Sequence, residues 1–275
     1  MLNSHPGPMN TQIRPIVLLT DFGLQDWFVG VMKGEILKIN PSALIVDLCH
    51  AIEPGSIEQA AWLLKETAVN FPRGSVFCTI VDPGVGTARR AIVAQADDKF
   101  FIAPDNGLLA PIQAEAKNWA CFQITATEWM GAQRSATFHG RDIFAPVAAH
   151  CSVGNAIDSA GAPCNDIKEL VLTKPDWSVS GMVTVKIMHV DRFGNLILNL
   201  KNETMNKAAA DGEISCVIGE EKICGIHKTF GEVRSGKALL YWGSLDYLEL
   251  AVNQGSAADR FQLKPGDSLR LLIDE

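Results

Sequence analysis

The feature that most constrains the fold is a change of pattern between the two halves of the chain. The first half alternates short apolar runs rich in β-branched residues with segments of helical spacing. The runs lie at 15–20, 44–49 and 75–81, and the helical segments at 27–39 and 56–69. This order predicts a parallel sheet with helices on its faces. Beyond residue 180 only short strand-like runs remain, so we expect an α/β domain followed by a smaller all-β, barrel-like C-terminal domain.

Three segments are expected along the chain. Residues 1–14 lack the apolar core of a signal peptide and are interpreted as a disordered leader. The α/β domain is assigned to 15–175 and the β domain to 180–275. No run reaches membrane-spanning length, so no membrane partner is expected.

Several local elements are predicted within these domains. In the first, the runs at 91–96 and 99–103 indicate a hairpin, Ser56 is a candidate N-cap, and a helix over 141–151 follows Gly140. In the second, strands are expected at 182–190, 196–200, 214–218, 222–226, 238–242, 247–252 and 268–273.

Composition excludes some classes of function. The formal net charge of −7 argues against a nucleic-acid surface, because phosphate binding needs a basic face. The seven cysteines form no C-x-x-C pair, which favours reduced thiols and a cytoplasmic location. No motif with metal-ligand spacing is present, so no metal is expected.

Two candidate site segments follow predicted strands of the first half. Asp21 lies at the carboxyl end of the first strand, where open α/β sheets bind ligands, and could accept both hydroxyls of a ribose; a helix N-cap is the alternative. Asp82 and Arg89 flank a glycine loop and could face each other across a pocket. A surface turn with a salt bridge is the alternative for that loop.

The other candidates are less distinctive. His139 precedes the predicted helix, and a single histidine is more often structural than catalytic. The segment 191–195 indicates a turn between strands. Glu249 is unusual as a carboxylate in an apolar strand, unless it faces outward.

Taken together, six motifs resemble the S-adenosylmethionine (SAM) hydrolases, or SAM hydroxide adenosyltransferases, which are relatives of the SAM-dependent fluorinase and chlorinase. The motifs are TDFG at 20–23, DPGVGTARR at 82–90, APDNGLL at 103–109, TFHGRDIFAPVAA at 137–149, DRFGN at 191–195 and GS…YLELAVN at 243–253. The resemblance implies an enzyme that hydrolyses SAM, or its (R)-sulfonium epimer, to adenosine and L-methionine by attack of water at ribose C5′. It also implies that no cofactor is used, and a homotrimer whose active sites combine the N-domain of one subunit with the C-domain of its neighbour.

The resemblance also implies roles for individual residues. Asp82, Arg89 and His139 would be the catalytic triad. Substrate binding would use Asp21 for the ribose, Asn195 for adenine, Asp191 for the methionine ammonium and Ser244 for its carboxylate, with Asp82, Glu249 and the Val252 backbone completing the pocket. In the halogenases an arginine follows the serine, whereas this chain has Leu245.

The chemistry leaves the roles within the triad open. The leaving group is a neutral thioether, so the enzyme needs only to align a water and assist its deprotonation. Asp82 could accept the proton, or Arg89 could stabilise hydroxide while His139 orients the water. Two alternatives to the hydrolase also remain: a halogenase of the same fold, and a non-catalytic adenosine- or SAM-binding protein. The resemblance argues against the halogenase, because halogenases have an aromatic residue at the position of Asp82.

Overall fold

The computed structural model describes residues 14–208 and 213–274. Apart from Arg14, the predicted leader lies outside these residues. The chain divides into a first compact unit ending at Val171 and a second beginning at Leu172. The domain bounds 15–175 and 180–275 stay a prediction. Each unit contains its own hydrophobic core.

The first unit contains a six-stranded sheet with helices. Its strands are β1 Ile16–Thr20, β2 Ile45–Cys49, β3 Val76–Ile80, β4 Ala91–Ala96, β5 Lys99–Pro104 and β6 Trp119–Gln123. Its α-helices are α1 Phe28–Ile39, α2 Ile57–Ala68, α3 Ala110–Glu115 and α4 Ala145–Ser152, with 3₁₀ turns at Thr127–Trp129 and Ile157–Ala160. The strand order is β2-β1-β3-β5-β4-β6; β2, β1, β3 and β5 pair in parallel, and β4 pairs antiparallel with β5 and β6. The predicted α/β class and the hairpin are confirmed.

The sheet of the first unit is covered on both faces. Along β1, Ile16 and Leu18 belong to one core and Val17 and Leu19 to the other, because successive side chains of a strand point to opposite faces. Helices α1 and α4 pack on the first face and α2 on the second. All four side chains are fully buried, which explains why the strand is a continuous apolar run.

Two local predictions for the first unit are confirmed only in part. Ser56 occupies the N-cap position of α2, but its side chain makes no capping hydrogen bond. The helix predicted after Gly140 begins as a π-helical segment, Gly140–Phe144, and becomes α-helical only in α4. Single π turns inside helices are frequent at functional sites, and this one directly follows His139.

The second unit is built on a nine-stranded sheet. Its strands are β7 Asp176–Val179, β8 Met182–Val190, β9 Leu196–Lys201, β10 Glu213–Ile218, β11 Glu221–Cys224, β12 Ile226–His227, β13 Ala238–Trp242, β14 Tyr247–Val252 and β15 Ser268–Asp274. The short helices are α5 Asn202–Ala208 and α6 Ala257–Phe261, with a 3₁₀ turn at Phe230–Glu232. The order is β11-β10-β15-β8-β9-β14-β13-β12, and β7 pairs with β8.

The second sheet curls towards closure. The strands at the two ends of its order, β11 and β12, are consecutive in the chain and separated only by Gly225. The strand predicted over 222–226 is therefore two strands, broken where Gly225 adopts a φ of 72°. This arrangement confirms the barrel-like all-β class.

Two further findings concern cysteines and helix length. All seven cysteines are free thiols, and Cys121 and Cys164 are buried with their Sγ atoms 3.1 Å apart. The longest helices among the described residues have 12 residues, and none in that part of the chain is long and apolar enough to cross a membrane.

Candidate active site

Two carboxylates lie at one edge of the first sheet because of strand register. β1 and β3 are parallel neighbours, and Thr20 pairs with Ile80 at their carboxyl ends. Asp21 directly follows β1, and Asp82 follows β3 after one intervening residue. The two side chains line one cavity of about 520 Å³, together with Phe22, Phe28, Pro54, Gly55 and Pro83.

Asp21 is not a helix cap. Helix α1 begins only at Phe28, with Trp27 at its N-cap position, whereas Asp21 Oδ2 accepts a hydrogen bond of 2.8 Å from the backbone N–H of Gly55. Burial raises the pKa of Asp21, the Gly55 hydrogen bond opposes this shift, and the negative charge of Asp82 adds to it. The N-cap alternative for Asp21 is therefore wrong.

Asp82, Arg89 and His139 form one connected cluster. Arg89 Nε donates to Asp82 Oδ1 at 2.9 Å, and Arg89 Nη2 donates both to Asp82 Oδ2 and, at 2.8 Å, to His139 Nδ1. The Arg89 and Asp82 side chains are only 11% and 5% exposed, so the ion pair is not the surface salt bridge of the alternative interpretation. Arg89 also lies over the Phe144 ring, with Cζ 5.2 Å from the centroid. Bidentate geometry and stacking together fix the guanidinium plane.

A backbone contact brings the glycine loop against the segment before His139. Gly86 has a φ of 77°, and a Cβ atom there would lie 2.5 Å from the carbonyl oxygen of Ala136. Only glycine permits both the left-handed conformation and this approach. The contact therefore helps to hold the loop with Asp82 and Arg89 next to His139.

The hydrogen bonds of His139 define its tautomer. A guanidinium group only donates, so Nδ1 of His139 accepts from Arg89. Burial lowers the pKa of His139, and the positive charge of Arg89 lowers it further. The neutral ring thus carries its proton on Nε2, and the lone pair on Nδ1 is already occupied.

The β-domain candidates surround a second cavity, of about 700 Å³, in the second unit. It is lined by Asp191, Phe193, Asn195, Phe230, Tyr241, Ser244, Glu249, Val252, Asn253, Gln254 and Gly255. All five candidates of the β domain are among these residues. The predicted site residues therefore form two groups, one in each unit.

The turn between β8 and β9 is organised by Asp191. Its Oδ1 accepts from the backbone N–H of Phe193 at 2.9 Å and of Asn195 at 2.8 Å, and its Oδ2 accepts from Asn195 Nδ2 at 2.8 Å. The predicted turn is thus confirmed. Phe193 at its tip is 77% exposed.

Glu249 lines the second cavity and is buried, so the alternative that it faces outward to solvent is wrong. It accepts a hydrogen bond from the Tyr241 hydroxyl on the neighbouring strand. Burial raises the pKa of Glu249, the Tyr241 bond opposes this, and the charge of Asp191 raises it further. Glu249 also packs over Gly243, where a Cβ atom would lie 1.8 Å from Oε1.

The charge of the second cavity is one-sided. Its lining contains two carboxylates, Asp191 and Glu249, but no lysine, arginine or histidine. Such a surface favours a ligand that carries positive charge. Among the described residues, in this cavity and outside it, no group of three or more histidines, cysteines or carboxylates is arranged to hold a metal ion.

Comparison with known proteins identifies the family. The description "SAM hydroxide adenosyltransferase N-terminal domain" matches residues 16–161, and the corresponding C-terminal domain matches 185–270. The chain belongs to the SAM hydroxide adenosyltransferase family. This assignment confirms the resemblance found in the sequence.

Relatives in and around the SAM hydroxide adenosyltransferase family cover nearly the whole chain. An (R)-S-adenosyl-L-methionine hydrolase of Salinispora tropica is 37% identical over 93% of this chain and 97% of its own length. A fluorinase of Actinopolyspora mzabensis is more distant, at 27% identity over 94% of this chain and 97% of its own length. A crystal structure of an uncharacterised conserved protein from Thermotoga maritima has a TM-score of 0.85 and 36% identity, and covers 94% of this chain and 99% of that one.

Sequence reasoning missed several residues that line the two cavities. Tyr241 and Phe230, whose ring centroids are 4.9 Å apart, form an aromatic wall of the second cavity. Phe28 and Pro54 line the first. These are apolar or amphipathic side chains, which a search for titratable groups does not find. The sequence feature that could have indicated Tyr241 is its position two residues before the GS motif.

Proposed function

We propose that this chain hydrolyses SAM, with the (R)-sulfonium epimer as its physiological form, to adenosine and L-methionine. The observation that carries the proposal is the Asp82–Arg89–His139 cluster beside Asp21 at the carboxyl edge of adjacent strands. The curated hydrolase relative supports the choice of reaction and epimer. Water attacks C5′, the C5′–S bond breaks with its electron pair going to sulfur, and one proton is released.

Within the triad we propose that Asp82 contacts the attacking water. Asp82 lines the first cavity, whereas Arg89 is bonded to Asp82 and His139 is bonded in turn to Arg89. Arg89 occupies one lone pair of each Asp82 oxygen, which leaves others to orient a water. His139 then holds Arg89 as a neutral acceptor. Since its Nδ1 is occupied, a role as proton acceptor would first require the bond to Arg89 to break.

Substrate recognition is proposed to divide between the two groups. Asp21 binds the ribose hydroxyls, Asn195 the adenine and Asp191 the methionine ammonium. Ser244 meets the carboxylate without help from an arginine, since Leu245 follows it, and Glu249 and the Val252 backbone complete the second cavity. SAM carries a sulfonium, an ammonium and one carboxylate. Its net positive charge suits a cavity with two carboxylates.

The halogenase is the less favoured candidate. A halide would have to approach C5′ beside the Asp82 carboxylate, and like charges repel. The fluorinase match is also weaker than the hydrolase match, at 27% against 37% identity. Pure binding would not require the buried Asp82–Arg89–His139 arrangement.

The finer assignments are proposals as well. We propose a homotrimer in which the first-unit group of one subunit meets the second-unit group of its neighbour, because each unit carries only part of the residues that SAM needs. Seven free thiols support a reducing, cytoplasmic location. No metal or redox cofactor is proposed, since a sulfonium is already activated for displacement.

The reaction is tested by incubation with each SAM epimer, with and without chloride or fluoride, followed by chromatography. Adenosine formed from the (R)-epimer without halide is expected, and a halide-dependent 5′-haloadenosine would identify a halogenase instead. Asp82→Asn should lower turnover about 100-fold or more, as expected for loss of a proton acceptor, with adenosine affinity largely kept. Near-wild-type turnover in this variant would remove Asp82 from the mechanism.

Asp105→Asn provides a matched control for Asp82→Asn. Asp105 is a buried carboxylate paired with Arg90, the residue next to Arg89. The Asp105→Asn variant should lose thermal stability, as Asp82→Asn does, but should keep its turnover. If both variants lose turnover equally, the effect of Asp82→Asn is structural.

The shared site is tested by complementation. Asp82→Asn and the double variant Asn195→Ala, Ser244→Ala are each inactive by expectation, and they are dissociated and reassembled together. Mixed trimers should recover part of the activity. If the subunits exchange and no activity returns, the site is built within one chain.

A further inference from the structure

A chain of hydrogen bonds runs from the protein surface, where its first members are exposed, to the buried residue next to Asp21. Lys33 Nζ contacts Asp47 Oδ2 at 2.6 Å, Asp47 Oδ1 contacts His50 Nε2 at 3.1 Å, and His50 Nδ1 contacts Thr20 Oγ1 at 2.8 Å. The His50 side chain is 2% exposed and Thr20 is fully buried. None of these residues belongs to the site described above.

The direction of each hydrogen bond follows from the groups involved. A carboxylate accepts only, so His50 Nε2 carries a proton and donates to Asp47. In the neutral ring, Nδ1 then accepts from the Thr20 hydroxyl. Thr20 Oγ1 keeps its lone pairs free to accept the backbone N–H of Phe22, at 3.2 Å.

The same two residues hold the backbone immediately after Asp21. Phe22 N–H is bound by the Thr20 side chain, and Gly23 N–H donates to the His50 carbonyl oxygen at 2.7 Å. Gly23 has a φ of 66°, so the chain turns sharply at this point. The Asp21 carboxylate accepts from Gly55 on its other side. The backbone that follows Asp21 is therefore held by bonds to Thr20 and His50, while its carboxylate is held by Gly55.

The arrangement has the order of a hydroxyl–histidine–carboxylate triad, but it cannot supply a nucleophile. Thr20 has no exposed surface, and its hydroxyl hydrogen is committed to His50. A substrate atom could not reach Oγ1 without unfolding β1. What remains is a positioning function.

We propose that His50, through Thr20, is a positioning residue that fixes Asp21 for ribose binding. The inference rests on the proposed function, in which Asp21 binds the ribose. It adds that affinity for the nucleoside depends on a network reaching Asp47 at the protein surface. Because the ribose contacts exist in the ground state and the transition state alike, loss of the network should raise KM and leave kcat nearly unchanged.

The test uses Thr20→Val, which keeps the shape of the side chain but removes the hydroxyl, with Thr20→Ser as the matched control that restores it. Adenosine affinity is measured by calorimetry, and kcat and KM with SAM. Thr20→Val should weaken adenosine binding and raise KM about tenfold, the size expected for one lost hydrogen bond. Thr20→Ser should bind like the wild type. In ¹⁵N spectra of the imidazole, the Nε2–H tautomer of His50 should be kept in both variants because Asp47 accepts that proton, whereas the Nδ1 resonance should shift only in Thr20→Val, where its hydrogen bond is lost.

Two further variants make every outcome decisive. Asp21→Ala reports on the ribose site itself: if it weakens adenosine binding while Thr20→Val does not, the positioning role is wrong and the proposed function stands. If Asp21→Ala leaves affinity unchanged, the ribose assignment of the proposed function fails. If Thr20→Val does not fold, the KM of Asp47→Ala, at the exposed end of the network, tests the positioning role. A raised KM supports the proposal, and an unchanged KM overturns it.

Discussion

Replacing Gly243 with alanine tests whether Glu249 shapes the second cavity. The added Cβ would lie 1.8 Å from Glu249 Oε1 and 2.4 Å from Cδ, so the carboxylate must move. Its side chain is buried and is held by the Tyr241 hydroxyl. Movement therefore breaks a hydrogen bond to a charged group, which is worth about 1.5–3 kcal/mol. A ligand that hydrogen-bonds to Glu249 would lose a contact of the same size, which is roughly 10- to 150-fold in affinity.

The assay is calorimetric titration of Gly243→Ala with adenosine, alongside thermal unfolding. Gly231→Ala is the matched control, because a Cβ at that position meets only Thr229 Oγ1, at 3.8 Å. Gly231→Ala should keep both affinity and stability. If Gly243→Ala folds and binds adenosine like the wild type, Glu249 does not contribute to the ligand cavity in the way proposed.

Three other predictions follow from the same contacts. Because burial and Asp191 raise the pKa of Glu249, the folded state binds this proton more tightly than the unfolded state, and stability falls as the pH rises through that raised pKa. Glu249→Gln should accordingly melt higher than the wild type at about pH 8 and lose this advantage at about pH 4; an equal difference at both would contradict the assignment. Gly86→Ala should cost about 1–3 kcal/mol and most of the turnover, because it combines a strained φ with the clash against Ala136. Gly154→Ala, also at positive φ but with no atom near its Cβ, should show only the smaller backbone penalty in the same unfolding and activity assays. Finally, burial raises the pKa of Cys121, and Cys224 is exposed, so a thiol reagent followed by mass spectrometry should label Cys224 quickly and Cys121 only after denaturation.

The buried strands were predictable because parallel strands covered on both faces are continuous apolar runs. The predicted β1 and β3 agree with the structure to within one residue at each end. From that register alone, Asp21 and Asp82 could be expected at one edge. The sequence could not reveal that Arg89 reaches His139, 50 positions away, because that contact depends on the close approach of the Gly86 loop.

Glu249 shows where period-two reasoning fails. Every residue of β14 is buried, so its alternation does not separate an inner from a solvent face. One face packs into the core through Leu248 and Leu250, while Glu249 faces the cavity. A sequence pattern cannot distinguish a strand face that lines a pocket from one that faces solvent, because both accommodate a carboxylate. The strand itself was predictable, but the destination of its charged side chain was not.

The near closure of the second sheet has a consequence for association between molecules. Long unpaired strand edges offer a template on which another chain can add a strand. Here the strands at the ends of the order are short, four residues in β11 and two in β12, and β11 also lies against β13. The turn at Gly225 thus leaves little edge for a second molecule to extend. A substitution that separated β11 from β12 at Gly225 would first cause aggregation during expression, before any change in ligand binding became measurable.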